Sequence, residues 1–125
     1  MTFASLGLIE PLLRCLDGLD YKTPTPVQAQ AIGPIIKGRD IMAAAQTGTG
    51  KTAAFTLPIL QRLMMEGPVV ASNSVRALVL VPTRELAEQV QQSVQTYSQF
   101  LPLRSYAVYG GESINPQMMK LRKGL

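Results

Sequence analysis

The sequence predicts an α/β fold with a parallel sheet between two layers of helix, and three observations predict it. Short, unbroken apolar runs of strand length alternate with stretches of helical period. The first of these runs leads through a glycine-rich turn into a long helical pattern. Apolar residues make up 46% of the 125-residue chain and charged residues only 16%, enough apolar material to cover both faces of a small sheet and too little charge for disorder. The predicted order is α, α, β, α, β, α, β, α, and strands alternating with helices imply a parallel sheet.

Leu6, Ile9, Leu12, Leu13, Leu16 and Leu19 recur at three- and four-residue steps and predict an amphipathic helix with one buried stripe. Asp20 to Thr25 breaks it. Thr25 then reads as an N-cap with Pro26 at the first helical position, and Val27, Ala31 and Ile32 form the apolar side of a second helix. Pro34 kinks or interrupts that helix, and Gly38 closes it. Ile41 to Ala45 is the first strand candidate. After the turn, a helix runs from about Lys51 to Met65, and Gly67 to Ser74 is small and polar, a surface loop. Ala77 to Val81 is continuously apolar, as expected of a strand buried on both faces. Pro82-Thr83 ends it, and a helix from about Arg84 to Gln99 follows with Leu86, Val90, Val94 and Tyr97 on one side. Ser105 to Tyr109 is the third strand candidate and Gly110-Gly111 a turn. Asn115-Pro116 opens a short helix ending near Gly124.

The bulk numbers exclude several classes. The net charge of +4 is spread evenly, with 6 basic and 4 acidic residues in each half, so it permits a polyanionic partner without demanding one. Arg104, Lys120, Arg122 and Lys123 read as a solvated basic face or as extra phosphate contacts. With one cysteine and no histidine, an internal disulfide is impossible and a structural zinc site is not expected. Cys15 reads as a small core residue. The first residues lack the pattern of a signal peptide, and no apolar run approaches the roughly 20 residues that cross a bilayer, so a soluble, cytoplasmic protein without membrane association is expected.

Ala45-Gln46-Thr47-Gly48-Thr49-Gly50-Lys51-Thr52 carries the chemistry. Glycines let the backbone turn tightly and aim several N–H groups at one point, and the following helix adds its positive end. Lys51 can reach the β- and γ-phosphates, and the Thr52 hydroxyl can ligate Mg²⁺. The usual phosphate-loop pattern starts with glycine, where this chain has Ala45. A glycine-rich turn with a surface lysine is the bland alternative. Upstream, Tyr21-Lys22-Thr23-Pro24-Thr25-Pro26-Val27-Gln28 offers an aromatic that can stack on a base and a glutamine whose amide can donate and accept against adenine. Alone, Gln28 reads as a solvated side chain.

Together these segments resemble the DEAD-box RNA helicases, with a closest likeness to the bacterial RhlE type in Met1 to Leu8 and Ser113 to Arg122. Phe3, Tyr21, Pro24, Thr25, Pro26 and Gln28 are similar to that family's adenine-recognising Q motif. Ala45–Thr52 is similar to its phosphate loop, in which alanine at the first position is normal. Pro82-Thr83-Arg84-Glu85-Leu86-Ala87 is similar to its first RNA-contact motif, and Gly110-Gly111 to its glycine pair. One departure is Asp20, where the family usually has glycine, which puts the turn before Tyr21 in doubt.

The resemblance implies a RecA-like three-layer sandwich of the P-loop NTPase type, with residues 1–125 forming the N-terminal, incomplete portion of a single helicase ATP-binding domain. It implies ATP or ADP with Mg²⁺ as cofactors, held by Phe3, Tyr21, Lys22, Pro26, Gln28, Gln46, Thr47, Gly48, Thr49, Gly50, Lys51 and Thr52, with Thr52 on the metal. It implies sequence-independent RNA backbone contacts at Pro82, Thr83, Arg84, Gly110 and Gly111. At those RNA positions the residues alone read as a helix cap, an Arg84–Glu88 pair and a turn. No Asp-Glu-Ala-Asp tetrad occurs, and the aspartates are Asp17, Asp20 and Asp40. No catalytic residue is therefore expected, nor is the second RecA-like domain that supplies transition-state arginines in this family. The isolated chain is expected neither to hydrolyse ATP nor to unwind RNA, and to self-associate through an open sheet edge. Two other readings compete: a non-catalytic nucleotide- or RNA-binding module, and a different phosphate-loop NTPase, against which the proline-rich segment speaks.

Overall fold

A computed structural model describes residues 1–46, 50–67, 74–111, 113–122 and 124–125. A 3₁₀ turn over Ala4–Leu6 precedes five helices: α1 over Glu10–Gly18, α2 over Pro26–Ile36, α3 over Lys51–Met65, α4 over Arg84–Tyr97 and α5 over Ile114–Arg122.

Each helix boundary has a local cause. The amphipathic stripe predicted from Leu6 is divided, because Gly7 takes a left-handed φ of 96° and α1 begins only at Glu10, with proline next. Pro34 lies inside α2 without ending it. The helix ends two residues later in a Schellman arrangement, in which Gly38 N–H donates to Ile35 O and Arg39 N–H to Pro34 O, with Gly38 at φ 85°. At the start of α4 the Thr83 hydroxyl accepts a 3.1 Å bond from Leu86 N–H, a helix N-cap.

The core gathers Leu8, Leu12, Leu16, Ile32, Leu57 and Leu60, with Phe3 and Tyr97 at its sides. α2 packs along α3, and α3 and α1 pack on α4. Cys15 is buried here as a core residue, its thiol donating to Thr96 O at 3.1 Å. Gln61, 4% exposed, closes the N-terminal segment onto α3: its Oε1 accepts from Ile9 N–H at 2.7 Å and its Nε2 donates to Gly7 O at 2.6 Å.

The expected parallel sheet is not present among the described residues. Ile41–Ala45, Ala77–Val81 and Ser105–Tyr109, all anticipated as strands, carry no ladder. The physical reason is that a strand, unlike a helix, has its backbone bonds in its neighbours, and among the described residues no backbone ladder joins these segments; Ser105 O and Tyr109 N–H are bonded to the side chains of Gln91 and Gln117 instead. Instead a cavity of about 530 Å³ separates Phe55, Ile59 and Leu63 of α3 and Val90 of α4 from residues 75–82. Residues 103–109 alternate between half-buried and exposed, as an extended segment lying along α4 does. One fragment of parallel pairing survives: Leu125 N–H donates to Ser74 O at 3.0 Å, and Arg76 N–H donates to Leu125 O at 3.2 Å. Most of the anticipated Gly67–Ser74 loop falls outside the described residues, as does Lys123. Among the described residues no helix is long and apolar enough to cross a membrane.

Candidate nucleotide and RNA-contact sites

The proline-rich segment and the end of the phosphate loop meet. Proline at N1 and Gln28 at N3 start α2, so the Gln28 side chain turns back over the helix entrance, where its Oε1 accepts from Thr25 N–H at 2.9 Å. Its Nε2 donates to Gly50 O at 3.2 Å, and the residue is only 5% exposed. Gly50, which caps α3, has φ 87°; a Cβ there would stand 2.3 Å from Gln28 Nε2 and 3.2 Å from Thr25 Oγ1. Glycine is therefore required twice, by backbone conformation and by the close approach of Gln28. Thr25 and Gln28 form a capping box at this helix start, and Thr25 Oγ1 is buried with no hydrogen-bond partner within 3.5 Å among the described residues.

These features fit a nucleotide. An orphaned buried hydroxyl stands next to a side-chain-free cradle at the positive end of a 15-residue helix. Lys51 is exposed at the first position of α3 and has no ion pair among the described residues; Thr52 follows, half-buried. Thr47, Gly48 and Thr49 lie outside the described residues, and Gln46 is exposed.

The remaining expected nucleotide contacts lie as follows. Phe3 is 5% exposed and belongs to the core. Tyr21 is 46% exposed and lies by Tyr97, whose hydroxyl is pushed up to about 12 chiefly by burial and further by Tyr21. Lys22 sits 3.3 Å from Asp17 Oδ1 and 3.5 Å from Asp20 Oδ1, and the Asp17 bond, joined by Asp20, raises its pKa above the ordinary lysine value. Pro26 is exposed at the helix start.

The two segments expected to contact RNA also converge. Pro82, Thr83, Arg84, Gly110 and Gly111 are all exposed. The Arg84 guanidinium lies 5.1 Å from the centroid of the Tyr109 ring, and its Nη1 is 3.6 Å from where a Cβ on Gly111 would stand. The Tyr109 hydroxyl donates to Glu88 Oε1, while its backbone N–H donates to Gln117 Oε1 at 2.9 Å. Sequence reasoning passed over Thr25, Tyr109 and Gln117 as site residues, and read Glu88 as a partner of Arg84 where the structure gives it the Tyr109 hydroxyl. The available signals were Tyr109 directly before the glycine pair and Glu88 one helical turn after Arg84.

The model of the DEAD/DEAH box helicase family matches residues 25–125. The ATP-dependent RNA helicase DeaD of Escherichia coli is 44% identical over 124 residues, 98% of this chain and 19% of that protein. The RNA helicase CrhR of Synechocystis is 44% identical over 124 residues, 99% of this chain and 24% of that protein. The pre-mRNA-processing ATP-dependent RNA helicase prp-5 of Neurospora crassa is 39% identical over 122 residues, 98% of this chain and 10% of that protein. The chain thus spans a tenth to a quarter of the length of these relatives. With the family match covering residues 25–125, the chain belongs to the DEAD/DEAH box helicase family.

Proposed function

We propose that this chain supplies the adenine-nucleotide pocket and the first RNA-backbone grip of an ATP-dependent RNA helicase, and that by itself it binds nucleotide without hydrolysing it. The observation that carries this reading is the 3.2 Å bond from Gln28 Nε2 to Gly50 O, which joins the base-reading segment to the phosphate loop. A primary amide has two N–H donors and two lone pairs on its oxygen. With one of each engaged on Gly50 and Thr25, Gln28 keeps one donor and one acceptor for an adenine edge. Lys51 would reach the outer phosphates of a bound nucleotide, the N–H groups opening α3 would face them, and the Thr52 hydroxyl would hold Mg²⁺. When bound, Mg²⁺ neutralises charge on the β- and γ-phosphates.

RNA is held by its backbone. Thr83 and Arg84 bring a hydroxyl, a guanidinium and the N-terminus of α4 to one phosphate, and such contacts carry no sequence information. Gly110 and Gly111 let the strand approach closely. These 125 residues contain no Asp-Glu-Ala-Asp tetrad, so the reading assigns them nucleotide and RNA binding and no activation of water.

The test is a fluorescence titration with labelled ADP and labelled GDP in Mg²⁺, on this chain and on Gln28→Ala and Lys51→Ala. The expected result is ADP preferred over GDP. Lys51→Ala weakens both nucleotides by about tenfold or more, the scale of a hydrogen bond to a charged group, and Gln28→Ala removes the preference. Equal binding of ADP and GDP defeats the adenine assignment, and no binding at all defeats the pocket.

A further inference from the structure

We propose that Tyr109 is a positioning residue for RNA contact, acting through Arg84 and itself held by Glu88 and Gln117. The proposal rests on the reading of Arg84 as a phosphate ligand.

Arg84 opens α4 on the exposed side of the molecule. A guanidinium on four rotatable bonds loses much freedom when it must meet one phosphate, and that loss weakens binding. Here a rigid surface stands behind it. The ring of Tyr109 lies 5.1 Å from the guanidinium carbon, within the range of a cation–π contact. The ring cannot drift, because both ends of Tyr109 are tied. The hydroxyl donates to Glu88, one turn along α4 from Arg84, and the backbone N–H donates to Gln117 at 2.9 Å. Gln117 in turn donates to Ser113 O at 3.1 Å, closing the chain around the glycine pair. Gly111 has φ 82°, and the position of its missing Cβ is 3.6 Å from Arg84 Nη1. The two RNA-contact segments, 26 residues apart in sequence, thereby form one anion seat: Arg84 supplies charge, Tyr109 direction and Gly111 access.

Glu88 has a second effect. A carboxylate one turn from Arg84 would attract the guanidinium away from an incoming phosphate. Accepting the Tyr109 hydroxyl proton occupies that carboxylate with a neutral donor. Tyr109 therefore backs Arg84 and engages the carboxylate one turn along α4 from it.

The experiment is fluorescence anisotropy of this chain with a labelled single-stranded decauridylate across a series of salt concentrations, with helix content followed by circular dichroism. The variants are Arg84→Ala, Tyr109→Leu, Tyr109→Phe and the double variant Arg84→Ala/Tyr109→Leu. Arg84→Ala is expected to weaken binding and to reduce the slope of log affinity against log salt by about 0.7, one phosphate contact on a single strand. Tyr109→Leu, which changes no charge, is expected to weaken binding by about two- to five-fold, the range of an exposed cation–π contact, and to reduce the same slope. Tyr109→Phe keeps the ring and is expected to restore most of the affinity. In the double variant the Tyr109 effect is expected to vanish, because there is nothing left to position. A merely structural role for Tyr109 would leave the salt slope unchanged and add fully to Arg84→Ala, and either result overturns the proposal while leaving the RNA reading intact. If Arg84→Ala changes neither affinity nor slope, or the unsubstituted chain does not bind, the RNA reading falls and the proposal with it. Should Tyr109→Leu lose helix content, Gln117→Leu decides: it changes no charge but removes the acceptor of the Tyr109 N–H, and an affinity and salt slope equal to the parent chain's overturn the proposal.

Discussion

Asp20 stands at φ 60°, the one left-handed non-glycine residue among those described. Aspartate tolerates this region better than most side chains, and glycine is freer still. The departure noticed in the sequence therefore leaves the turn intact, and it costs conformational energy. Asp20→Gly is expected to raise stability by up to about 1 kcal/mol, read as a higher urea midpoint at unchanged slope. The lost Lys22–Asp20 pair subtracts little, because both partners are well exposed. Tyr97 offers a second expectation. Burial keeps its hydroxyl protonated to about pH 12, whereas the unfolded chain releases the proton near 10.0. The folded state therefore binds the extra proton. This contribution, up to about 3 kcal/mol, is intact below pH 10 and is lost as pH rises from about 10 to about 12. Tyr97→Phe should flatten that alkaline loss in urea melts taken at pH 9 and pH 11, and an unchanged slope would show that another group carries it. The need for glycine at position 50 was legible in the sequence. The burial of Phe3 was not, because an aromatic ring serves a base or a core with the same apolar surface.

At the level of elements, the helices were legible and the strands were not, for one reason. A helix satisfies its own backbone, so period, caps and prolines are sufficient to place α2, α3 and α4 close to where they lie. An apolar run such as Ala77–Val81 reports only that both its faces suit burial; whether a partner strand lies alongside is not written in the run. The 3₁₀ turn and the late start of α1 escaped the pattern because Gly7 falls within an otherwise helical stripe. What fastens that segment is Gln61. Gln61→Leu keeps the volume and leaves the Ile9 N–H and the Gly7 carbonyl without their partner, which should cost about 2 kcal/mol. Gln61→Glu keeps the acceptor for Ile9 but turns a second carboxylate oxygen toward the Gly7 carbonyl, and should also destabilise. Equal urea midpoints for all three chains would mean that water replaces both bonds and that the core alone holds the N-terminus.

For the whole molecule, the consequence of unpaired strand segments is exposed apolar surface. Leu78 is 74% exposed, Leu80 85% and Met42 101%, an unusual display for side chains of this kind. The backbone of residues 77–81 has no hydrogen-bond partner among the described residues, while the Leu125–Arg76 exchange already sets a parallel register at its near end. An apolar segment with free N–H and C=O groups is a template for pairing with another chain. We expect self-association through residues 77–81, seen as mass rising with concentration in sedimentation equilibrium. A net charge of +4 opposes it, but that repulsion is screened beyond about 10 Å at 0.1 M salt. Added salt should therefore strengthen self-association while weakening RNA binding, because the first is driven by apolar burial and the second by phosphate contacts. Leu80→Lys places a charge on the edge and should return the chain to monomer at all salt concentrations with its helix content unchanged. A parent chain that stays monomeric as concentration and salt rise would mean that the exposed segment folds back over the 530 Å³ cavity in solution, sealing the edge from within.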